Sequence, residues 1–196
     1  MLAMACQMQW GLESAEQVVA ARRSENQQAA DLVGADTVNF SIPDCIYRRS
    51  SSGEPLYPEE VFVPIHTFEK DLHLEIAAAL ASELRPDDTI VSPLAVGDHL
   101  DHVMARLTAE SMGRPLWYYA DIPYLVNHPE MLAPRTNGLK ATLYPISEKG
   151  LEAWQSGIAA YATQIMMLFE TAEKMEDALR VYWEDQHGIR LWRADP

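Results

Sequence analysis

The feature that most constrains this chain is a strand that runs straight into a histidine-bearing helix. Thr89-Ile90-Val91 is a short apolar, β-branched run, the pattern of a buried strand. Pro93-Leu94-Ala95-Val96-Gly97-Asp98-His99-Leu100-Asp101-His102 follows, and Val103 to Ala109 reads as a helix. A polar cluster at such a handover lies outside the carboxyl end of a strand, where open α/β sheets place their ligands. His99 and His102 are three residues apart, so on a helix they share a face and both can point into one cleft. The positive end of the helix dipole disfavours imidazolium there, and the neutral ring is the form that binds a metal. One ring can then hold a metal while the other handles a proton or steadies an oxyanion. Asp101 adjoins both rings and can fix the tautomer of either; Asp98 can cap the helix. The plainer alternative is a polar helix start whose histidines are hydrogen-bonded and idle.

The rest of the chain alternates helix and strand. Ser14-Ala15-Glu16-Gln17 fits a capping box and opens a helix that should run to about Val33, with Gly34 as its stop. Thr37 to Ile42 alternates like a strand, and residues 43–60 read as a surface loop. Leu72, Ile76, Leu80 and Leu84 make one apolar helical stripe. Leu116-Trp117-Tyr118-Tyr119-Ala120 is a second buried strand; residues 126–138 read as a loop, 140–144 as a short strand, and 147–182 as two or three helices. The expected class is α/β: a Rossmann-like, mostly parallel sheet with helices on both faces, in one domain spanning residues 1–196.

Other polar residues admit two readings each. Arg22 and Glu25, three apart, are either a solvated helical pair or an arginine that contacts an anionic or hydroxyl-rich ligand beside its carboxylate. Asp121 and Tyr124 flank Pro123 at the end of the second strand, as turn residue and packed aromatic or as cleft lining. Asp44, Tyr47, Arg48 and Arg49 read as loop residues in solvent that could reach a ligand. His66, His73, His128 and His187 have no neighbours at ligand spacing, and Met166-Met167-Leu168-Phe169 reads as core. The net charge is −14 with no cluster of Lys and Arg, which argues against nucleic acid as a partner. Cys6 and Cys45 are in no metal-type spacing and read as free thiols. No apolar run has the length of a membrane span and the first residues do not form a signal peptide, so a cytoplasmic location is expected.

Taken in order, these pieces resemble the PIG-L, or LmbE-like, family of metal-dependent de-N-acetylases. The most specific part is Gly97-Asp98-His99-Leu100-Asp101-His102. Arg22-Arg23-Ser24-Glu25, Asp44-Cys45-Ile46-Tyr47-Arg48, Tyr118 to Tyr124, and Tyr161-Ala162-Thr163-Gln164 follow the same order. The resemblance implies hydrolysis of the N-acetyl group of an N-acetylglucosamine-type conjugate, usually with zinc. It implies His102 as a metal ligand, and His99 as the group that stabilises the oxyanion or protonates the leaving amine, with Asp101 orienting it. Arg22, Asp121 and Tyr124 would contact substrate. The family's His-Pro-Asp-Asp motif, which supplies two metal ligands and the general base, occurs nowhere in this sequence; Arg85-Pro86-Asp87-Asp88 lacks the histidine. The expectation is therefore a fold lacking its first strand–helix–strand unit, with unpaired strand edges and a chain that alone is inactive or impaired. An upstream start, or a second chain or copy, would complete the site. The competing expectation is a non-catalytic binding protein on the same fold.

Overall fold

The computed structural model describes residues 2–194. In chain order the elements are α1 (Leu2–Gln9), α2 (Ala15–Val33), α3 (Leu72–Ala81), β1 (Ile90–Pro93), α4 (Leu100–Ser111), β2 (Leu116–Tyr119), α5 (Ile122–Asn127), α6 (Leu132–Thr136), β3 (Leu139–Pro145), α7 (Glu148–Ala159), α8 (Ala162–Phe169), α9 (Ala172–Glu184) and β4 (Gly188–Ala194). They form two compact units, Met1–Pro43 with Tyr144–Ile189, and Asp44–Leu143 with Arg190–Pro196.

The first unit is helical. Ser14 caps α2 by accepting from the Gln17 N–H at 3.2 Å, and Gly34 closes it at φ 70°, a backbone that costs glycine little. The Gln17 side chain accepts from Glu13 N–H rather than from the cap residue. Met175, Leu179 and Trp183 lie four apart along α9 and are buried, the single apolar stripe an amphipathic helix turns inward. The Trp183 indole N–H donates to Ile146 O at 2.7 Å. Residues 147–182 form three helices, as their periodicity suggests. Residues 37–42 form no strand: Val38 is 57% exposed and the alternation meets no pairing partner. Met166, expected in the core, is 63% exposed.

The second unit holds a four-stranded sheet of order β1-β2-β4-β3. β1 and β2 pair in parallel, Ile90 opposite Leu116 through Pro93 opposite Tyr119. β4 joins antiparallel, with Trp192 opposite Tyr118. The α/β class thus stands, with its parallel pair at the histidine handover. The sequence pattern carries no sign of β4, and residues 126–138, expected as a loop, contain the last two residues of α5 and the whole of α6. β1 is the end strand of the order and Val91 on it is 46% exposed. Leu94, Val96, Tyr118, Ala120 and Trp192 form the core under the strand ends. Arg106 of α4 ties this face together. It donates to Leu94 O at 3.0 Å and to Glu110 at 2.8 Å, and Glu110 accepts from the Tyr118 hydroxyl at 3.0 Å.

Candidate functional site

The turn between β1 and α4 is built from residues in left-handed backbone. Ala95, Gly97 and Asp98 have φ of 57°, 84° and 58°, a costly arrangement for the two non-glycines that persists only where surrounding contacts impose it. Gly97 is required for a further reason: a Cβ there would lie 2.7 Å from Cβ of Tyr124. The turn therefore brings Tyr124 against the histidines. The His102 ring is 5.3 Å from both the His99 and the Tyr124 rings, and Phe62 lies 5.6 Å from His99.

His99 and His102 differ in what holds their Nδ1 atoms. His99, not Asp98, is the N-cap of α4: its Nδ1 accepts from the Asp101 backbone N–H at 3.2 Å. Its backbone is extended, which swings the ring to the helix mouth, while the Asp98 carboxylate is drawn away by an ion pair with Arg135. With Nδ1 accepting, the neutral His99 ring carries its proton on Nε2. His102 Nδ1–H donates to Asp121 Oδ1. A carboxylate can only accept, so the neutral His102 ring carries its lone pair on Nε2, the tautomer that a metal takes.

The Asp121 carboxylate is held inside the protein. The residue is 2% exposed, and its second oxygen accepts from Val96 N–H at 3.0 Å. The Asp101 side chain does not reach either histidine ring. Its oxygens accept from Cys45 N–H at 3.1 Å and from Arg48; only its backbone touches His99. Arg48, expected in solvent, is 7% exposed and reaches Glu69 at 3.4 Å on its other side. Glu69 also accepts from the Tyr57 hydroxyl at 2.7 Å. The attraction of Asp101 and Glu69 outweighs desolvation and raises the Arg48 pKa, so the guanidinium stays charged. The loop beginning at Asp44 is thereby fastened to the start of α4. The one local signal was an aspartate followed by a short turn: Asp44 accepts from Ile46 N–H at 3.2 Å.

Tyr124 is half-buried against both rings. Burial, then the charges of Asp121, Cys45, Asp101 and Asp44, push its phenol up to about 12, so it remains a hydrogen-bond donor at neutral pH.

The donor atoms of Asp44, Cys45 and Asp101 lie within 4.8 Å of one another, but they do not fit a zinc ion as they stand. Cys45 is fully buried and its thiol is pushed far up by burial and then by Asp101 and Asp44, whereas zinc takes the thiolate. Its Sγ–H faces Asp44 at 3.5 Å, and both Asp101 oxygens are occupied. Among the described residues of this cluster, His102 presents an imidazole nitrogen of the kind zinc takes, whereas a catalytic zinc site holds three protein ligands.

Arg22 and Glu25 belong to the helical unit. Glu25 is not a solvated partner of Arg22. It is 8% exposed and accepts from the Thr163 N–H at 2.8 Å and hydroxyl at 2.7 Å. The Arg22 guanidinium lies 4.4 Å from the centre of the Trp10 ring. His66 caps its own short turn by accepting from Phe68 N–H at 3.2 Å.

No family model matches the chain. Among curated proteins, the 2'-N-acetylparomamine deacetylase of Niallia circulans is 30% identical over 195 residues, spanning 90% of this chain and 68% of that protein. The zinc-inhibited form of teicoplanin deacetylase Orf2 matches with a TM-score of 0.79 at 22% identity, covering 99% of this chain and 82% of that one. The A40926 pseudoaglycone deacetylase Dbv21 matches with a TM-score of 0.68 at 24% identity, covering 97% and 76%. The two structures establish the shared fold.

Proposed function

The chain belongs to the deacetylase family that includes the 2'-N-acetylparomamine deacetylase of Niallia circulans, and from that membership we propose that it hydrolyses, or binds for hydrolysis, an N-acetyl group on an amino-sugar conjugate. The observation that carries this is the opposed state of two adjacent histidines. His102 offers Nε2 as a ligand atom because Asp121 takes its Nδ1–H. His99 offers Nε2–H because its Nδ1 caps the helix.

In this reading water adds to the acetyl carbonyl. The His99 Nε2–H donates a hydrogen bond to the carbonyl oxygen as it becomes an oxyanion, and the proton lost by the adding water passes to the amine as the C–N bond breaks, giving acetate and the free amine. Tyr124 lines the cleft as a neutral donor. Asp101 acts through its backbone N–H on His99 and through Arg48 on the loop. The role of Arg22 as a substrate contact rests on the PIG-L resemblance alone.

Zinc is the metal this family resemblance suggests, and His102 is the ligand this chain offers. One imidazole holds zinc weakly, and no His-Pro-Asp-Asp motif supplies the other donors or a general base. The 196-residue chain is thus impaired alone, and a second, different chain that brings those donors would restore zinc binding and turnover together. The single imidazole ligand also favours a second reading, a binding protein that keeps the fold without the metal site.

The test is zinc stoichiometry and acetate release on the purified chain, with N-acetylglucosamine and 2'-N-acetylparomamine as substrates, beside His102→Ala. The catalytic reading expects well under one zinc per chain, lost in His102→Ala, and slow acetate release that a chelator abolishes. Acetate release that persists in His102→Ala, or in chelator, overturns it. Sugar binding with no acetate release selects the second reading.

A further inference from the structure

We propose that Phe62 is an aromatic platform on which the pyranose ring of the substrate stacks, beside the two histidines. The identity of the ligand as an amino sugar rests on the deacetylase reading above; the platform itself rests on where this ring is held.

Phe62 is 52% exposed, yet it is not on a loose segment. The Leu100 N–H, one of the orphan donors at the start of α4, donates to Val61 O at 2.9 Å, which fastens the residue before Phe62 to the helix that carries His102. The same loop is held on either side of Phe62. The Tyr57 hydroxyl donates to buried Glu69 at 2.7 Å and accepts from His66 N–H at 2.9 Å. Phe62 itself meets His99 edge-to-face, centroids 5.6 Å apart and planes at 87°, and meets Tyr124 at 6.0 Å and 77°. A phenyl group is thus fixed in solvent at the rim of the histidine pair, where a bound ligand would cover it.

The chemistry of the ring selects the ligand. A pyranose chair has a face of polarised C–H groups, and a phenyl face carries the negative lobe of its quadrupole. Binding sites for small molecules combine such apolar and aromatic lining with a few polar groups that fix orientation. His99, His102 and Tyr124 supply the polar groups; Phe62 supplies a face with no hydrogen-bonding demand. An acetamide group held at the histidines places its sugar ring within reach of Phe62.

The experiment measures binding without turnover. N-acetylglucosamine is titrated into the full chain by NMR, and the same titration is run on Phe62→Ala, Phe62→Leu and Phe62→Trp. The expected result is at least a fivefold weaker Kd for the alanine and leucine variants and a Kd within twofold of wild type for tryptophan. Equal binding by Phe62→Ala and wild type, or no wild-type binding at tens of millimolar sugar, overturns the platform. Thermal unfolding of each variant is followed in parallel, and exposure of the side chain predicts little change. Phe62-dependent binding without acetate release would sink the deacetylase reading and leave the platform standing. Acetate release with an unchanged KM in Phe62→Ala would do the reverse.

Discussion

Asp121 accepts from His102 Nδ1 and, 3.0 Å away, from the Val96 N–H, so both oxygens are committed inside the protein. The first contact sets the tautomer of His102, and the second fixes the carboxylate to the turn that carries the histidines. Replacing Asp121 by Asn separates these duties. The amide oxygen can keep the Val96 contact, which turns the amide N–H₂ toward His102 Nδ1 and makes that nitrogen an acceptor. The proton then moves to Nε2, the atom proposed above as the metal ligand. Loss of such an outer partner typically lowers metal affinity or activity about 10- to 100-fold, and the exchange of a charged for a neutral acceptor should cost about 1–2 kcal/mol of folding stability. Nitrogen-15 NMR of His102 gives the direct reading: Nδ1 protonated in the wild type, Nε2 protonated in Asp121→Asn. An unchanged tautomer would remove Asp121 from this role. Nothing in the local sequence separated Asp121 from an ordinary turn aspartate before Pro123, because its two partners come from residues 96 and 102.

At the level of elements, Glu25 does for α8 what a cap residue usually does from within the helix. Tyr161 precedes α8 without capping it by its side chain, and the Thr163 N–H turns instead to the Glu25 carboxylate at 2.8 Å. The Thr163 hydroxyl adds a second contact at 2.7 Å, and Tyr161 donates to Asn26 at 2.7 Å on the next residue of α2. Glu25→Ala leaves a helix-start N–H and a hydroxyl without their acceptor, so it should destabilise the protein by about 1–3 kcal/mol. Glu25→Gln, which retains one acceptor, should cost less. Chemical denaturation of both variants checks the order; equal losses would assign the effect to packing instead. This pairing also marks what could be read in advance. The α2 boundaries followed from Ser14 and Gly34, and the β1-to-α4 handover followed from an apolar run meeting polar residues, because caps and periodicity are local. Glu25 and Arg48 looked like solvated charges because their partners, Thr163, Glu69 and Asp101, lie 138, 21 and 53 residues away. Thr37 to Ile42 had the alternation of a strand and found no neighbour to pair with, while β4 found β2 across more than 70 residues of chain.

For the molecule as a whole, charge and buried phenols together set an alkaline limit. The chain carries a net charge of −14 at neutral pH, so each further negative charge adds to self-repulsion in the compact state. Tyr118 in the core of the sheet unit is pushed up to about 12, first by burial and then by its hydrogen bond to Glu110. Tyr57 is raised by burial and by Glu69, and Tyr161 in the helical unit by burial and by Glu25. An unfolded tyrosine ionises near 10. The folded state holds these protons more tightly than the unfolded state. The stability they contribute is therefore complete below about pH 10 and drains away as pH climbs toward 12. The melting temperature should be flat with respect to these groups up to about pH 10 and fall steeply above it. Tyrosinate absorbance should lag behind that of a denatured sample over the same interval. Tyr118→Phe removes one titrating group and its contact with Glu110. It should start less stable at pH 8 yet lose less between pH 10 and 12 than the wild type does. Tyrosines that all ionise freely near pH 10 in the native protein would break this account, and so would a melting curve as steep in Tyr118→Phe as in the wild type. Added salt should soften the fall, since screening acts on the repulsion among surface charges and much less on the buried phenols.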